Sequence, residues 1–532
     1  MVSTFHGLET SKRSLLTQST ALSTVGHNIS NASTAGYTRQ RVNMTNADPV
    51  YVPGFNRVHT PGQIGTGVQY DSITRVRDSY LDLQYRRENQ DLGYYTIYNS
   101  TMEAIQTMIN EPSDNGVSAI MDKFWNSLEV MNRDANLLSA RVDFIGNAKN
   151  MADTFNKIGT SLNTLEADIS SNTTIKLNQA NNLLDGITKL NDTIRKIEML
   201  GDNANDYRDQ RDVLLDELSK IVDVQYAEDA EGMVNVYSGG IQVVTGLQPT
   251  YLTQNDVATI TGGEIGGYKK SLEDIDLVRN QLNAMIDTLV RGEIEVTMPN
   301  GYKTSTDMIA ENDVNVTDAA GNVTAIPAGD TIPAGSKITS PVTFKVNGFN
   351  GLHQLGYSIN TPAETGIAFF TSKDNSVPFT IDNIQVNADI LADTNKVAAS
   401  GQYDLGGTNG TDMHTIKGNS DVALALTSLR DAKFTYPVAL TSLSEGTTDD
   451  YFRAFVSDLG TRSDIAITNY ERSGNLVDNV EIRRQATSGV SIDEELTDML
   501  RFQHAYNAAA RNMTVVDEML DRIINNMGIV GR

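Results

Sequence analysis

The stretch that decides the fold is residues 488–532, SGVSIDEELTDMLRFQHAYNAAARNMTVVDEMLDRIINNMGIVGR. Apolar residues recur in it at seven-residue steps, and a second series follows three residues behind: Ile492, Met499, Tyr506, Met513, Leu520 and Met527, then Phe502, Ala509, Val516 and Ile523. This a/d heptad predicts one helix with a narrow apolar seam. Ser491, with Glu494 three residues later, is a capping-box start signal. A seam this narrow needs a partner helix, although periodicity alone fits a terminal helix docked on its own domain equally well.

The first thirty residues carry a weaker stripe of the same kind. Lys12 and Ser19 interrupt it, and its members are Phe5, Leu8, Leu15, Leu22, Val25 and Ile29. The predicted helix ends in the run 28–36, because Asn and Ser side chains there compete for backbone hydrogen bonds and Gly36 permits a positive φ. We expect this helix, residues 4–30, to be the partner of the C-terminal seam within the same chain.

Composition excludes several classes of function. The chain has 532 residues, 42 Lys and Arg, 67 Asp and Glu, and a net charge of −25. It is too long for one hydrophobic core, and roughly three domains are expected. The acidic balance argues against nucleic acid or an anionic membrane surface as a partner. Because there is no cysteine, disulfides, thiolate metal sites and thiol catalysis are excluded.

The sequence predicts no membrane insertion. No apolar stretch is long enough for a transmembrane helix. Residues 1–30 lack the basic and continuously apolar regions of a cleaved secretion signal. The protein is therefore expected either in the cytoplasm or exported by a route that does not read such a signal.

Helical patterns dominate both ends of the chain. Residues 76–222 are helical almost throughout, and the longest predicted helix covers 137–201. The pattern allows a break in that helix around Ser170 to Thr174. Helical signals return over 451–487 and continue into the terminal heptad. Long helices with narrow stripes are typical of an elongated antiparallel bundle.

β-prone sequence fills the middle of the chain. Alternation over residues 223–262 predicts a small antiparallel sheet. Gly266-Gly267 then leads into a helix predicted from Leu272 to Val290. Residues 291–415 are rich in Thr and Val and contain turn dipeptides such as Asn350-Gly351, which predicts an inserted β-rich domain.

The expected fold class is multidomain and mainly α with inserted β. It is a discontinuous elongated helical bundle built from both termini, plus β-rich domains. The domains are expected to be 1–75 with 481–532 (paired coiled-coil-like terminal helices), 76–290 with 416–480 (a helical bundle with a small β subdomain near 223–262), and 291–415 (a β-rich outer domain).

No catalytic, cofactor-binding or metal site is predicted. The 6 histidines are scattered without ligand spacing, which favours ordinary surface or core histidines. Among 67 carboxylates, pairs such as Glu494-Glu495 and Asp449-Asp450 are expected by chance and are interpreted as solvated faces. Phosphate-loop, nucleophile-elbow and zinc-protease motifs do not occur. The sequence therefore predicts no enzyme.

Two stretches together resemble a known family. Residues 21–40, ALSTVGHNISNASTAGYTRQ, resemble the N-terminal signature of bacterial flagellar rod, hook and hook-associated proteins. Residues 500–511, LRFQHAYNAAAR, resemble their shared C-terminal helix. Within that group, GYTRQ at 36–40 resembles the hook–filament junction proteins, whereas rod and hook proteins tend to show Gly-Phe-Lys there. The signature residues are Asn28, Asn31, Gly36, Tyr37, Arg39 and Gln40.

Further stretches carry the same resemblance. FNGLHQLGY at 349–357 and GNSD at 418–421 fit the junction proteins, as does the long helical segment 76–222. The resemblance is weakest over 300–345, where the chain carries its own β insertion.

The resemblance implies a structural subunit of the flagellum, outside the cell, at the junction of hook and filament. It would be exported through the flagellar type III apparatus without a cleaved signal. Its implied partners are further copies in a ring, the hook protein, a second junction protein, and an export chaperone on the C-terminal helix. Residues 1–75 and 481–532 would then form the axial core.

The terminal seams are the expected assembly interface. In a lone subunit they have little to bury them, so we expect them to be poorly ordered before assembly and to fold as subunits associate. The interface residues are expected to be Leu8, Leu15, Leu22, Ile29, Ile492, Met499, Phe502, Tyr506, Met513, Val516, Leu520 and Ile523.

Two other functions are compatible with the helix–β–helix order. A flagellin-like filament subunit shares it, although the YTRQ sequence at 37–40 argues against this reading. An extracellular adhesin or enzyme could use the inserted β domain, but residues 291–415 show no catalytic constellation.

Overall fold

The computed structural model describes residues 5–49, 64–114, 116–318, 321–407, 410–437, 440–441 and 443–526. Met527 of the predicted heptad lies outside them. The chain forms two compact units. Unit 1 comprises Met1–Ile97, Asn172–Lys269 and Asn469–Arg532, and unit 2 comprises Tyr98–Ser171 and Lys270–Thr468.

Helices form most of the described chain. They are α1 His6–Ser30, α2 Ser79–Ile109, α3 Val117–Arg133, α4 Leu138–Glu198, α5 Asn205–Ile221, α6 Gly263–Arg291, α7 Gly348–Leu355, α8 Ala388–Ala392, α9 Asp421–Ser428, α10 Thr448–Ser488 and α11 Ile492–Asn526.

The strands are short and pair in small antiparallel sheets. In unit 1 they are β1 Gln40–Asn46, β2 Val68–Arg75, β3 Gln225–Glu228, β4 Val234–Ser238, β5 Ile241–Thr245 and β6 Gln248–Pro249. In unit 2 they are β7 Glu293–Met298, β8 Met308–Ile309, β9 Val314–Thr317, β10 Val323–Ile326, β11 Thr331–Ile332, β12 Lys337–Ile338, β13 Val342–Asn347, β14 Phe370–Ser372, β15 Ile384–Val386, β16 Tyr403–Gly406, β17 Asp412–Thr415, β18 Phe434–Thr435 and β19 Glu445–Gly446. The predicted fold class, multidomain and mainly α with inserted β, is confirmed.

The helix predictions hold except at particular points. Helix α1 ends at Ser30, inside the predicted run 28–36. The break that the pattern allowed around Ser170 to Thr174 does not occur, because α4 is continuous there. Buried Ile169, Thr173 and Leu177 continue its inward face through this stretch.

The predicted start of α6 at Leu272 is wrong, since the helix begins at Gly263. The glycines that were expected to lead into it lie inside it. A Cβ at Gly267 would stand 2.6 Å from the carbonyl oxygen of Tyr94. Glycine is therefore required at residue 267 because α2 passes close to α6. The Gly266-Gly267 dipeptide allows this helix packing and does not form a loop.

Unit 1 has a hydrophobic core between α4, α5 and the start of α6 on one side and a four-stranded sheet on the other. The sheet order is β3-β4-β5-β6. Fully buried members of this core include Leu184, Ile187, Leu215, Val236 and Val244.

Unit 2 is organised around an aromatic cluster, which comprises Phe124, Trp125, Phe144, Phe349, Phe369 and Phe370. Phe124 lies 5.5 Å from Phe144 and 5.6 Å from Phe349, ring centroid to ring centroid. All these side chains are buried. Helices α3 and α4 supply the first three members, and the predicted β-rich segment supplies the others. That segment therefore shares its core with helices, and the three-domain division remains a prediction.

Asn350-Gly351, predicted as a turn, lies within helix α7. The Asn350 amide explains why asparagine stands there. Its Nδ2 donates to the Phe370 carbonyl at 2.8 Å, and its Oδ1 accepts from the Phe370 backbone N–H at 2.8 Å. The side chain thus fixes a strand of the aromatic cluster and does not form a turn.

In the part of the chain that the structure describes, no helix combines the length and the apolarity that crossing a bilayer requires.

Candidate assembly interface

Helices α1 and α11, here called the terminal helix pair, pack against each other within unit 1. The Asn512 amide donates to the Ser11 hydroxyl at 2.7 Å. A Cβ at Gly7 would stand 3.1 Å from a methyl carbon of Val516. Residues 7 and 11 are one helical turn apart, so they mark the face of α1 that meets α11.

The predicted seam residues are only partly covered in the single chain. On α1, Leu8, Leu15, Leu22 and Ile29 are half-buried. On α11, Met499, Phe502, Met513 and Val516 are half-buried and Leu520 is buried. Ile492, Tyr506 and Ile523 are exposed by 51%, 38% and 41%.

The leucine stripe of α1 is defined as Leu8, Leu15, Leu22 and Ile29. The face of α1 that is buried inside the chain is offset from this stripe and includes Val25 alone of the predicted apolar residues. Its members are Ser11, Thr17, Gln18, Ala21, Thr24, Val25 and Asn28. Thr17 Oγ1 donates to the Val68 carbonyl of β2 at 3.3 Å. Small and polar side chains thus hold α1 to its own chain, and the leucines remain at the margin of that contact.

The signature segment is defined as residues 28–40. Its first residue, Asn28, is 1% exposed and organises the hydrogen bonds of the segment. Its Oδ1 accepts from the Gln40 backbone N–H at 3.0 Å and from the Tyr37 hydroxyl at 2.8 Å. Its Nδ2 donates to the Gln40 carbonyl at 2.9 Å and to Glu495 Oε2 at 2.9 Å. An amide side chain offers two donor hydrogens and two acceptor lone pairs, so the hydrogen-bonding capacity of Asn28 is fully used.

Glu495, interpreted from the sequence as part of a solvated face, is buried, and that interpretation is wrong. It is 1% exposed. Its Oε1 accepts from Arg39 Nε at 2.7 Å while its Oε2 accepts from Asn28. Glu495 falls three residues after Ile492, at the one d position of the heptad that lacks an apolar residue. A polar residue inside an a/d seam commonly specifies register, and this was the signal that could have found it.

Arg39 connects the signature segment to the start of α11. Its Nη1 donates to Glu494 Oε2 at 2.9 Å, and its Nη2 lies 3.8 Å from an oxygen of Asp498. Its backbone N–H donates to the Ser488 carbonyl at 2.9 Å. The Glu494 carboxylate, predicted to cap α11, is thus a partner of Arg39.

The remaining signature residues bind α5 and α1. Gln40 Nε2 donates to Asp206 Oδ1 at 2.7 Å. Asn31 Nδ2 donates to the His27 carbonyl at 3.0 Å. Burial, and then the carboxylate of Asp206, raise the pKa of Tyr37 well above its ordinary value, so its hydroxyl stays protonated and able to donate.

Gly36 lets the signature segment lie against α5. Its φ is +75°, and a Cβ there would stand 2.1 Å from Val213 Cγ2. Both the left-handed backbone and the close contact disfavour a side chain at this position.

An arginine–aspartate cluster lies next to the signature segment, and it was not predicted from the sequence. Its members are Arg75, Arg77, Arg86 and Arg484 with Asp82, Asp209, Asp212 and Asp216, joined at 2.6–3.5 Å. The Thr38 backbone N–H donates to Asp209 Oδ2 at 2.9 Å, which ties the cluster to the signature. The available signal was the spacing of Asp209, Asp212 and Asp216, which places carboxylates on one face of α5.

The charges of this cluster compensate one another. Burial alone would raise the pKa of Asp212, but three guanidinium groups hold it well below its usual range. For Asp209, burial dominates and raises the pKa, although Arg75 opposes the shift. Removing one partner of such a buried pair is strongly destabilising because it leaves the other charge uncompensated.

Among the residues that the structure describes, no group of three or more His, Asp or Glu side chains could hold a metal ion. The arrangement around Asn28 and Glu495 offers hydrogen bonding and charge pairing between chain segments. It holds residues from the two ends of the chain together within unit 1.

Two protein-family models match separate parts of this chain, and both belong to the bacterial flagellum. The model described as "Flagellar hook-associated protein FlgK helical domain" matches residues 102–292. The model described as "Flagellar basal body rod FlgEFG protein C-terminal" matches residues 484–527, which include α11. Both models describe structural proteins of the bacterial flagellum.

Whole-chain relatives define the family more narrowly. The chain is 30% identical to flagellar hook-associated protein 1 of Bacillus subtilis, over 100% of both chains. It is 25% identical to flagellar hook-associated protein 1 of Escherichia coli, over 95% of this chain and 96% of that protein. The chain belongs to the family of flagellar hook-associated protein 1, and its function is structural.

Among solved structures, the flagellar hook junction protein FlgK from Burkholderia pseudomallei aligns with a TM-score of 0.47 and 13% identity. The alignment covers 76% of this chain and 100% of that chain.

Proposed function

We propose that this chain forms the junction between the flagellar hook and filament, as one copy in a ring held by the terminal helices. The observation that carries the proposal is the partly covered seam. The side chains of α1 that are buried in the single chain are mostly small or polar, and Ile492, Tyr506 and Ile523 of α11 remain exposed. An apolar stripe of this kind is stabilised when a neighbouring copy covers it.

In the proposed ring, the leucine stripe of α1 in one copy would pack against the exposed residues of α11 in the next copy. When that contact is not reciprocated between the same two copies it is heterologous, and heterologous contacts close into rings or extend into helices. The interface would comprise the seam residues predicted from the sequence.

The finer parts of the proposal concern partners and export. The ring would contact the hook protein on one side and a second junction protein on the other. Before export, a chaperone would cover α11, and the chain would leave through the type III apparatus without a cleaved signal. Nucleic acid, membrane insertion and enzymatic activity have no part in this function.

The proposed division of labour follows the predicted domains. Residues 1–75 and 481–532 would form the axial core. Residues 76–290 with 416–480 would form the helical body, and residues 291–415 would face outward.

Immunogold labelling of isolated flagella tests the location. We expect label confined to the hook–filament boundary, in cells whose only copy of the protein carries an epitope. Label along the whole filament would overturn the proposal and favour the flagellin-like alternative. Growth of long filaments from the purified chain alone would have the same meaning.

The pairing of the terminal helices is testable because the chain has no cysteine. Val516 Cγ2 lies 3.1 Å from the Cβ position of residue 7, so the two positions face each other closely enough for an engineered disulfide, whose Cβ atoms stand roughly 3.5–4.5 Å apart. We expect Gly7→Cys with Val516→Cys to form a disulfide within each subunit of the assembled junction. A ladder of cross-linked subunits on a non-reducing gel would show instead that α1 pairs with the α11 of a neighbour.

A further inference from the structure

The inference concerns Glu495 and deepens the proposed function, on which it rests. We propose that Glu495 is a positioning residue that makes the folding of the signature segment conditional on the docking of α11. If a chaperone covers α11 before export, the signature segment would then also stay unfolded. Neither α11 nor residues 28–40 would be available for assembly.

The first observation is that Glu495 joins segments that are far apart in the sequence. Asn28 and Glu495 are separated by 467 positions, and their side chains meet at 2.9 Å. Both carboxylate oxygens are used, one by Asn28 and one by Arg39. The residue therefore contacts α1 and the entry to β1 from the first turn of α11.

The second observation is that both partners organise the signature backbone. Asn28 bonds the backbone N–H and the carbonyl of Gln40. The Arg39 backbone N–H donates to the Ser488 carbonyl at the end of α10, four residues before α11 begins. Without α11, buried Asn28 loses one acceptor and Arg39 loses its carboxylates. A buried polar group left without a partner pays its desolvation cost uncompensated.

The third observation is that only a carboxylate fits. Asn28 Nδ2 and Arg39 Nε are both donors, so residue 495 must accept on both oxygens. A glutamine would satisfy one donor with its oxygen and place its own N–H groups against the other. The substitution Glu495→Gln is nearly isosteric and therefore tests the hydrogen-bonding role without removing volume.

Glu494 provides a matched control. It precedes Glu495, carries the same charge and contacts the same arginine, but its side chain is 64% exposed. Glu494→Gln therefore removes one negative charge beside Arg39 without disturbing Asn28.

The experiment uses the full chain with Gly7→Cys and Val516→Cys, so that the oxidised form holds α11 on α1 covalently. Hydrogen exchange is followed by mass spectrometry over residues 37–40, whose amides bond Thr34, Asp209, Ser488 and Asn28. We expect protection of this segment in the oxidised parent and in the Glu494→Gln variant. In Glu495→Gln we expect exchange at least tenfold faster there, with α11 and α5 unchanged.

Several results would overturn the inference. Equal exchange in Glu495→Gln and the parent would show that the carboxylate does not position the segment. Equal loosening in both glutamine variants would indicate a general charge effect. Faster exchange of α11 together with residues 37–40 would show that Glu495 only stabilises the helix. An oxidised parent in which residues 37–40 are unprotected would show that docking of α11 does not fold the signature segment.

Motility supplies a second measurement that does not depend on the disulfide. We expect Glu495→Gln to reduce the expansion of swimming rings in soft agar several-fold more than Glu494→Gln, and equal effects would contradict the inference. The proposed function can fail separately from this inference. In that case the immunogold label on the unsubstituted protein would lie away from the hook–filament boundary, while Glu495→Gln would still increase exchange over residues 37–40.

Discussion

The terminal helix pair of unit 1 and the aromatic cluster of unit 2 bury side chains in opposite ways. In the aromatic cluster, Phe124, Phe144 and Phe349 are fully buried by residues of the same chain. In the terminal pair, the face of α1 that meets its own chain is largely polar, and large apolar residues stay at its margin. The aromatic cluster is buried within a single chain, whereas the terminal pair leaves apolar surface exposed, which we propose a neighbouring copy covers.

This difference separates two kinds of stability. Aromatic burial contributes whether or not subunits associate, because each ring already has its contacts. The terminal pair contains oriented hydrogen bonds around Asn28 and Glu495 and a seam that, in the proposed assembly, a second copy covers. Substitutions in the two regions should therefore be distinguishable by which property they change, folding or assembly.

The largest expected effect is the loss of assembly from a charge in the seam. Met513→Asp, or Tyr506→Asp, would place a carboxylate where the proposed neighbour packs, and burial of an unpaired charge is too costly for the contact to form. We expect non-motile cells that release the protein into the medium, while purified chain shows unchanged unfolding of unit 2. Thr514→Asp adds the same charge at an exposed neighbouring position and should preserve motility. Normal swimming of the Met513→Asp strain would break the comparison.

The next effect belongs to the aromatic cluster. Phe349→Ala removes a fully buried ring, and we expect a loss of about 3–5 kcal/mol in the free energy of unfolding. Urea titration of the purified chain measures it. Leu424→Ala, at a side chain in the same unit that is 59% exposed, should change stability by no more than about 0.5 kcal/mol. Similar losses for both would show that the cluster is not the core of the unit.

A third prediction uses pH to single out unit 2. His353 is fully buried. One ring nitrogen lies 2.7 Å from the Ile367 carbonyl, and the other accepts from the Ala398 backbone N–H at 2.9 Å, so the ring is neutral. Burial lowers the pKa of His353 from 6.5 to about 4.

Because the folded-state pKa of His353 is depressed, the unfolded chain takes up the proton first. Stability is complete above about pH 6.5 and falls as the pH decreases towards 4, by about 3 kcal/mol from this group. Urea titrations across that range should show a shallower dependence in His353→Gln than in the parent. Parallel curves would mean that other groups cause the acid sensitivity.

Most helices could be predicted from the sequence because their signal is local. Apolar periodicity predicted a helix over 137–201, and the observed helix α4 is Leu138–Glu198. The errors occurred where a polar or flexible residue serves a distant segment. Gly267 looked like a loop residue because the sequence does not reveal that α2 passes 2.6 Å from its Cβ position. Asn350 looked like a turn residue because its hydrogen bonds go to a strand further along the chain.

The sequence identified the residues of the signature segment but not the hydrogen bonds and ion pairs that they make. The signature residues were found by resemblance, but their contacts were not. Glu495 was assigned to solvent because a carboxylate is usually exposed, and its burial depends on Arg39 and Asn28 at the other end of the chain. Its d position in the heptad was the local indication of burial, because d positions face the seam.

The smallest expected effect sharpens the comparison at Gly36, where backbone geometry and packing can be separated. A left-handed backbone costs a non-glycine residue about 1–2 kcal/mol, and the Cβ of Gly36→Ala would also overlap Val213 Cγ2 at 2.1 Å. The added methyl should push the signature segment away from α5 without affecting the aromatic cluster. Removing the opposing methyl groups in the double variant Gly36→Ala with Val213→Ala should relieve the overlap and leave the backbone term. We expect soft-agar motility to fall in the single variant and to recover partly in the double variant, while Val213→Ala alone has little effect. No recovery would assign the whole cost to the positive φ, and full recovery would assign it to the contact with α5.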